Sequence, residues 1–321
     1  MGGDVKGIGL DLGGTKLSGA VFSRNGAFSS KQFIELSGRG GKEVASLIRE
    51  MVLKILDEFQ GEIRAIGMSI PGIYYSKTGH VWIPNIDGWE DYPLLEEMRS
   101  WLPAKEMRIS IDSDRACYIL GETWQGNAQR CNNAIFMAVG TGIGAGILVD
   151  GRILRGAHDI AGATGWLSLS SSFRPEYADC GDFEYHASGP GLVKVAKDLM
   201  AANKTYSGSL RQLNQESLTA KHIFTALEDE DPIARAVLDQ AVGYWGRATA
   251  NYVSLFNPEK IIFGGGVFGP AVRYIDQIYA EAVKWSQPIS IRQVKFEPSS
   301  LGDDAGLMGA GYLALNDGLE D

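Results

Sequence analysis

The feature of the sequence that most restricts its fold is a pattern that occurs twice. Each half has an apolar strand, a turn rich in glycine and threonine, a second strand, an Asn-Gly or Asp-Gly turn, and a third strand. The two turns lie at 11–16 and 25–26 in the first half, and at 140–144 and 150–151 in the second, about 130 residues later. Asn-Gly and Asp-Gly are typical of type I′ turns, in which both central residues have positive φ. Internal similarity on this scale predicts two related domains that face each other across a cleft.

Strands and helices alternate along both halves, which predicts a mixed α/β fold. Apolar runs predict strands at 5–10, 17–22, 65–70, 107–111, 134–139, 145–149 and 260–263, and extended chain at 291–296. Apolar residues that recur every three or four positions predict helices at 44–59, 114–124, 232–255, 270–285 and 304–316. Residues 72–103 are interpreted as an inserted loop region, and residues 156–230 as an irregular insertion.

The composition argues against several classes of partner. The chain has 39 acidic and 30 basic residues, and a net charge of −9 disfavours binding to nucleic acid or to an anionic membrane. The longest uncharged stretch, 131–149, contains four glycines and is better explained as two buried strands than as a membrane span. Three cysteines without a CxxC spacing, and no signal-peptide pattern, predict a cytoplasmic protein with reduced thiols. We therefore expect a small-molecule ligand.

Glycine is in excess, and its positions indicate where such a ligand binds. The chain has 41 glycines in 321 residues, well above the usual ~7%. The first turn links two strands, so it is neither a P-loop nor a dinucleotide fingerprint. Gly13 and Gly14 leave backbone N–H groups free to surround an anion, Thr15 adds a hydroxyl, Lys16 adds a charge, and Asp11 is placed to hold Mg²⁺ through water. The alternative is a hairpin that needs glycine only for its turn.

A second turn of the same kind lies in the other half. It consists of Gly140, Thr141 and Gly142, and two such turns, one from each domain, can clamp one polyphosphate. A run of three glycines follows the strand at 260–263, and its members are Gly264, Gly265 and Gly266. This run is either a turn at the strand end or a flat stretch of backbone on which an adenine ring can pack.

Taken in order, these motifs resemble the ROK family of sugar kinases, within the actin-like ATPase superfamily. The resemblance covers nearly the whole chain through DLGGTK at 11–16, SIPG at 69–72, PNIDGW at 84–89, DSDRACYILGE at 112–122, GTGIGAGI at 140–147, ASGP at 187–190 and GGGV at 264–267. It implies two RNase-H-like domains that close on ATP, Mg²⁺ and a sugar, and a homodimer. The domains we expect are a small one at 1–115, completed by a C-terminal helix at 304–321, and a large one at 116–303.

The resemblance also implies a catalytic base. The family's aspartate follows an asparagine and precedes a helix that ends in Gly-Glu, which matches Asp114, eight residues before Glu122. Ser113 stands in the place of the asparagine. In phosphoryl transfer such an aspartate orients the attacking hydroxyl and accepts its proton. Asp112 is the weaker candidate, and the structural alternative for Asp114 is a helix N-cap.

The family's sugar contacts are only partly present. Asn85, the backbone at Gly72 and the later Glu184 match the family, and Ser113 precedes the base. The family's Gly-Glu-x-Gly-His motif reads Gly-Ala-Thr-Gly-Trp at 162–166, so Trp166 replaces the histidine. Trp166 either stacks on the substrate or supplies apolar packing in place of a metal site. The cysteine cluster of the family is reduced to one cysteine here, which cannot complete four zinc ligands, so no zinc site is expected.

The leading hypothesis is an ATP- and Mg²⁺-dependent kinase that phosphorylates a hydroxyl of a small carbohydrate. The altered motif leaves open a hexose bound differently, an N-acyl or deoxy sugar, and a cyclitol. A catalytically inactive sugar sensor and a polyphosphate donor are alternatives. The ROK transcription repressors are disfavoured, because they carry an N-terminal helix-turn-helix domain, whereas the first phosphate turn here begins at residue 11.

Overall fold

The computed structural model describes residues 5–59, 61–102 and 107–316. The described strands are β1 (Lys6–Leu12), β2 (Lys16–Ser23), β3 (Phe28–Glu35), β4 (Ile63–Ile70), β5 (Ile73–Tyr75), β6 (His80–Trp82), β7 (Arg108–Ser113), β8 (Ala134–Val139), β9 (Ile143–Val149), β10 (Arg152–Ile153), β11 (Lys260–Gly264) and β12 (Lys295–Pro298). The described α-helices are α1 (Gly41–Glu58), α2 (Leu94–Trp101), α3 (Asp114–Gln125), α4 (Asp182–Ala187), α5 (Gly189–Ala202), α6 (Ser209–Gln212), α7 (Ala220–Glu228), α8 (Pro232–Phe256), α9 (Ile275–Val283) and α10 (Ala305–Leu315).

The chain divides into two compact units. The first contains the chain up to Arg130, the segment Arg152–Ala161 and the chain from Asp303 onward, and the second contains Cys131–Gly151 and Gly162–Gly302. The boundary expected at 115/116 therefore falls inside α3, whose contacts keep it within the first unit. Within the described residues, no helix is both long enough and apolar enough to cross a membrane.

The first unit is built on a five-stranded sheet in the order β3-β2-β1-β4-β7. β1 runs antiparallel to β2 and parallel to β4, and β4 runs parallel to β7. The register places Asp11 beside Ser69, and Ser69 beside Asp112. Because the parallel strands end at one edge of the sheet, these polar residues gather there, where binding sites of open α/β sheets usually lie.

Helix α10 packs against α3 and against β1 and β4. Its side chains are buried on almost every side, as the apolar sequence Ala-Gly-Leu-Met-Gly-Ala-Gly indicates. The close approach depends on Gly309, since a Cβ there would lie only 1.9 Å from the carbonyl oxygen of Cys117 in α3. On the opposite face of the sheet, α1 buries a stripe that includes Val44, Ile48 and Met51.

The second unit repeats the pattern with the strand order β9-β8-β11-β12. β8 and β9 form an antiparallel hairpin, whereas β11 runs parallel to both β8 and β12. The 25-residue helix α8 begins at Pro232, and the carboxylate of Asp231 caps it by accepting bonds from the N–H groups of Ile233 and Ala234. The apolar faces of α5, α7 and α8 contribute to one hydrophobic core with this sheet.

Three local predictions were wrong. The region 72–103, interpreted as loop, contains β5, β6 and α2, and the insertion 156–230 contains α4 to α7. The overlooked signal in α5 is a helical stripe that buries Leu192, Val195, Ala196 and Met200. The extended segment expected at 291–296 begins as a 3-10 turn at Ser290–Arg292, and its strand starts only at Lys295.

The two Asn-Gly and Asp-Gly turns also differ from each other. Asp150 and Gly151 both have positive φ, as a type I′ turn requires. At the other turn, Gly26 has a φ of +85° while Asn25 does not adopt a positive φ. The N–H of Ser23 still donates to the carbonyl of Ala27 at 2.9 Å, so this hairpin closes over a longer loop.

Candidate functional site

The base predicted from the sequence is the first residue of α3. Ser113, not Asp114, is the N-cap, and its Oγ accepts a hydrogen bond from the N–H of Ala116 at 3.3 Å. The interpretation of Asp114 as a cap is therefore wrong. Its Oδ1 accepts from the N–H of Arg115 at 2.7 Å, while among the described residues the only hydrogen bond to its Oδ2 comes from the Tyr118 hydroxyl, at 3.4 Å. One oxygen of a half-buried carboxylate is thus weakly engaged, and burial raises the pKa of Asp114, with Arg115 opposing.

Asp112, two residues earlier, is engaged instead. Its Oδ1 accepts from the N–H of Ser113 at 2.8 Å, and its Oδ2 accepts two bonds from the Arg155 guanidinium, at 2.7 and 3.1 Å. Burial raises the pKa of Asp112, and Arg155 is the main influence that lowers it. A carboxylate held in this way is less available to accept a proton, so the geometry favours Asp114 over Asp112.

Asp11 lies near the end of β1, beside Ser69. The pKa of Asp11 is raised to about 6, chiefly by burial and also by the nearby carboxylates of Asp114 and Asp304, while Ser69 and Lys16 act in the opposite direction. Mutual repulsion of carboxylates is what a divalent cation would relieve. Mg²⁺ is bound through one or two carboxylates and retained waters, so this donor chemistry fits it.

The first glycine turn, between β1 and β2, leaves its polar groups accessible. The N–H of Gly13 donates to the carbonyl of Lys16 at 2.8 Å and closes the turn. Gly14, Thr15 and Lys16 are exposed. The backbone of Thr15 is anchored, because its carbonyl accepts from the N–H of Leu36 at 2.7 Å. The turn therefore presents a hydroxyl and an ammonium group from a fixed backbone.

Two of the predicted sugar contacts lie beyond β4 in the same unit. Gly72 lies against the carbonyl oxygen of Trp82, only 2.2 Å from where a Cβ would stand, so this position tolerates no side chain. Its own carbonyl faces the Arg115 guanidinium at 3.5 Å. Asn85 is exposed in a turn that the buried Trp89 anchors through a hydrogen bond to the carbonyl of Gly41.

The second unit contains a cavity of about 1020 Å³ beside the second glycine turn. The N–H of Gly140 donates to the carbonyl of Gly142 at 2.9 Å, and the carbonyl of Gly140 accepts from the N–H of Gly189 at 2.8 Å, which ties the turn to the start of α5. The residues that line the cavity are Gly140, Thr141, Gly189, Pro190, Val193, Lys194, Leu218, Thr219, Ala220, Lys221, Phe224, Thr225, Glu228, Gly266, Val267 and Pro270. Its volume and largely apolar wall are suited to a nucleoside-sized ligand.

Sequence reasoning missed most of this wall. Most of the missed residues belong to α5, to α7 and to the loop before α7, inside the segment interpreted as irregular, and the others are Val267 and Pro270. The helical stripe of α5 was the available signal. Arg155 was missed too, because the sequence around a single arginine outside any motif does not indicate which carboxylate it pairs with.

The three consecutive glycines have different surroundings. A Cβ on Gly264 would lie 2.2 Å from the ring of Phe136, and one on Gly265 would lie 2.5 Å from the carbonyl oxygen of Val139. Of the three, Gly266 lines the cavity. Of the two interpretations of this run, a turn at the strand end or a flat surface for a ring, the surface formed by all three glycines is corrected: Gly264 and Gly265 serve the close packing of β11 on β8.

Replacement of Gly265 by alanine should lower the free energy of unfolding by about 2 kcal/mol. Gly265 has a φ of +87°, which a residue with a Cβ adopts at a cost, and the backbone of Val139 cannot move away easily. Gly266→Ala is the matched control, because a Cβ there meets nothing within 4 Å. Urea unfolding of both variants measures the difference, and equal midpoints would contradict this explanation.

Glu184 and the segment at 162–166 meet within the second unit. Oε2 of Glu184 accepts a hydrogen bond from the N–H of Ile143 at 2.7 Å, directly after the second glycine turn. Burial raises the pKa of Glu184, and the Ile143 N–H and Lys194 oppose it. Gly165 lies against the same carboxylate, 2.9 Å from where its Cβ would stand. Glu184 thus connects the turn to the segment that carries Trp166.

Trp166 does not supply core packing. Its side chain is 57% exposed, at the end of a short 3-10 helix, Thr164–Trp166. This excludes the interpretation that it fills the interior in place of a metal site. Throughout residues 5–59, 61–102 and 107–316, no group of three or more His, Cys, Asp or Glu side chains is arranged to hold a metal ion. The absence of zinc stays a prediction.

Known proteins resemble this chain over nearly its whole length. The model of the ROK family matches residues 7–317. The chain belongs to the ROK family. Its two-domain architecture is that of the actin-like ATPase superfamily, as in the solved structures of ROK sugar kinases that it matches.

The individual relatives include both enzymes and regulators. The chain is 29% identical to a glucokinase of Halalkalibacterium halodurans, over 95% of this chain and 94% of that protein. It is 27% identical to a xylose repressor of Caldicellulosiruptor bescii, over 97% of this chain and 78% of the repressor. The structure of a ROK family glucokinase from Streptomyces griseus, in complex with glucose and AMPPNP, matches with a TM-score of 0.76, at 26% identity, and the match covers 96% of this chain and 99% of that one.

Proposed function

We propose that this ROK protein transfers the terminal phosphoryl group of ATP to a hydroxyl of a small carbohydrate, a hexose-like sugar or a derivative. The observation that carries the proposal is the carboxylate of Asp114, half-buried at the start of α3 with Oδ2 weakly engaged. Membership of a family with glucokinase relatives supports the same reaction.

The base needs to do little more than orient the attacking hydroxyl. Phosphoryl transfer depends mainly on positioning and on stabilisation of charge. Oδ1 of Asp114 is fixed by the N–H of Arg115, so Oδ2 is held in place to accept the proton of the substrate hydroxyl. The pKa of Asp114 is raised toward neutral pH, and this makes the carboxylate a better proton acceptor.

Phosphate binding is assigned to both glycine turns. In the first, Gly14, Thr15 and Lys16 would supply N–H, hydroxyl and ammonium donors, Gly13 would hold the shape of the turn through its N–H bond to the Lys16 carbonyl, and Asp11 would hold Mg²⁺ through water. Mg²⁺, when bound, neutralises charge on the phosphates. In the second unit, the cavity holds the nucleoside. We assign nucleotide binding there to the second glycine turn and to the run of three glycines, whose residues are Gly140, Thr141, Gly142, Gly264, Gly265 and Gly266. Of these, Gly264 and Gly265 act by shaping the backbone.

The residues that we propose as sugar contacts are Gly72, Asn85, Ser113, Glu184 and Trp166. Ala163 and Trp166 remove a carboxylate and an imidazole from the family motif. A site built around hydrogen bonds discriminates strongly against a ligand that lacks the matching groups. The substrate is therefore a hexose bound in another way, an N-acyl or deoxy sugar, or, as the second candidate, a cyclitol. We further propose a homodimer in the cytoplasm.

A catalytically inactive sugar sensor is the competing function. The altered motif at 162–166 favours it, and the repressor relative shows that regulators occur in the family. The two glycine turns and Asp114 favour catalysis. The two functions differ in turnover, not in sugar binding.

The test is release of ADP from Mg²⁺-ATP over a panel of hexoses, amino sugars, N-acetyl sugars, deoxy sugars and cyclitols. We expect one class to stimulate ADP release at least about a hundredfold over the sugar-free background, as in enzymes that position their acceptor. Omission of Mg²⁺ should abolish the stimulation, and polyphosphate in place of ATP tests the donor. Binding of a sugar without any ADP release would establish the sensor instead.

A further inference from the structure

A second cavity of the second unit, of about 260 Å³, borders the segment that ends at Trp166. Its wall combines the rings of Trp166, Phe173 and Tyr177 with the side chains of Ser168, Ser171 and Ser172. Aromatic rings that stand beside free hydroxyls are the chemistry that recognises a sugar ring, whose C–H face packs on the aromatic plane while its hydroxyls form hydrogen bonds.

The two outer rings are available to a ligand. Trp166 is 57% exposed and Phe173 is 76% exposed, which is unusual for large aromatic side chains on one short segment. Within the part of the chain that the structure describes, the hydroxyls of Ser168, Ser171 and Ser172 have no hydrogen bond of their own. They are free to donate to, and accept from, a polyhydroxylated ring.

The inner wall is held rigid. The Tyr177 hydroxyl shares a hydrogen bond with Nε2 of His186 at 2.8 Å. His186 stacks on Tyr244, with ring centroids 4.6 Å apart, and its Nδ1 pairs with the Gln240 side chain at 3.1 Å. Burial lowers the pKa of His186, with Asp182 opposing, which favours the neutral form of the ring in these hydrogen bonds.

The serine-bearing loop is fixed by a buried carboxylate. Asp182 accepts from the N–H groups of Leu169 and Ser170, at 2.7 and 2.5 Å, and from the Ser170 hydroxyl at 2.6 Å. Its oxygens are therefore committed to the protein. No basic side chain is among the described residues that line the cavity, so an anionic ligand is disfavoured and a neutral one is favoured.

The cavity is adjacent to a proposed sugar contact. A Cβ on Gly181, at the cavity wall, would lie 2.5 Å from Cα of Trp166, and Gly165 next to it lies against the Glu184 carboxylate. Trp166 thus belongs at once to the cavity wall and to the segment that Glu184 holds. This shared segment is the observation that connects the cavity to the proposed sugar contact.

We propose that this cavity is a subsite for the second ring of a disaccharide or an aryl glycoside, so that the substrate class includes glycosides besides free monosaccharides. The proposal rests on the proposed sugar kinase function and specifies its acceptor. The volume suffices for a single ring, which limits the class to two-ring acceptors.

The test compares binding of one-ring and two-ring sugars at equilibrium, without ATP. Isothermal titration calorimetry is run with glucose, galactose, mannose and N-acetylglucosamine, with their α- and β-linked 1→4 and 1→6 disaccharides with glucose, and with sucrose and phenyl β-glucoside. At least one two-ring ligand should bind about five- to tenfold more tightly than its component monosaccharides, the gain expected from one aromatic stacking contact.

Phe173→Ala should remove this gain and leave monosaccharide binding within about twofold, because Phe173 stands outside the proposed contacts to the first ring. Phe33→Ala is the matched control, since Phe33 is 69% exposed on β3 of the other unit. Trp166→Ala should weaken two-ring ligands more than one-ring ligands. If no two-ring ligand binds more tightly, or if the gain survives Phe173→Ala, the subsite is refuted.

The same data separate the two proposals. Phosphorylation of a monosaccharide without any two-ring advantage refutes the subsite and leaves the kinase intact. A two-ring advantage that depends on Phe173 and comes without ADP release supports the subsite and refutes the kinase.

Discussion

Replacement of Asp114 by asparagine is expected to lower turnover at least about a hundredfold, the low end for loss of a positioned proton acceptor. The amide has almost the shape of the carboxylate and can still accept a bond from the N–H of Arg115. It cannot accept the proton of the attacking hydroxyl. Steady-state ADP release with the best sugar of the panel measures the loss, and ATP binding followed by calorimetry should be unchanged.

Asp112→Asn is the matched comparison, two residues away on the same strand-to-helix junction. The Asp112 carboxylate already accepts hydrogen bonds from Ser113 and Arg155. The Asp112→Asn variant should therefore lose less turnover than Asp114→Asn. If Asp114→Asn retains normal turnover while Asp112→Asn abolishes it, the base has been assigned to the wrong carboxylate. Equal melting temperatures of Asp114→Asn and the parent protein are needed to attribute the loss to chemistry.

Replacement of Arg155 by alanine should destabilise the first unit by about 3 kcal/mol at neutral pH, the low end for breaking a buried pair from one side. Asp112 is almost fully buried, and Arg155 supplies its two charge-assisted hydrogen bonds. Without Arg155 the carboxylate stays buried and uncompensated. Arg152→Ala, an exposed arginine on the same segment, is the matched control and should change stability little.

This destabilisation should depend on pH in a defined direction. Burial already places the pKa of Asp112 above its unfolded value, and loss of Arg155 raises it further. Between the pKa of Asp112 in the unfolded state and its higher pKa in the folded state, the folded state binds more protons than the unfolded state. Stability therefore falls as pH rises through this range. The loss in Arg155→Ala should therefore be smaller at pH 5 than at pH 8.

Urea unfolding at both pH values, followed by tryptophan fluorescence, measures this difference. Asp112→Asn combined with Arg155→Ala should recover part of the stability at pH 8, because no charge is then buried. A pH-independent loss in Arg155→Ala would instead assign the effect to lost packing of the arginine stem.

Much of the local structure could be predicted because its causes are local. The apolar run at 134–139 became β8 with the same bounds, and the helical stripe at 44–59 lies within one residue of the end of α1. The two glycine turns were recognised because a chain that reverses between strands without a helix has few solutions. The family resemblance followed from motifs in a fixed order, and the family match confirms it.

The partly buried helix α5 was missed for a different reason. Its sequence contains two glycines and a proline in the first turn, which reads as a loop when taken alone. In the structure Pro190 stands where a helix start tolerates it, and Ser188 caps the N–H of Gly191 at 3.0 Å. Packing of one apolar face against the core outweighs the weak local preference.

What the sequence by itself determined is the repeated strand order, the two glycine turns and the residue types that carry the chemistry. Only the tertiary structure decided which of the aspartates is available. Asp112 and Asp114 are the same residue type in the sequence. They differ because Arg155, 41 to 43 positions away, forms hydrogen bonds with Asp112 and not with Asp114. The same holds for the three glycines after β11, of which one lines a cavity and two pack on neighbouring atoms. Burial and partner choice arise from contacts between distant segments, and these set the pKa, the free lone pair and the open space that local sequence does not encode.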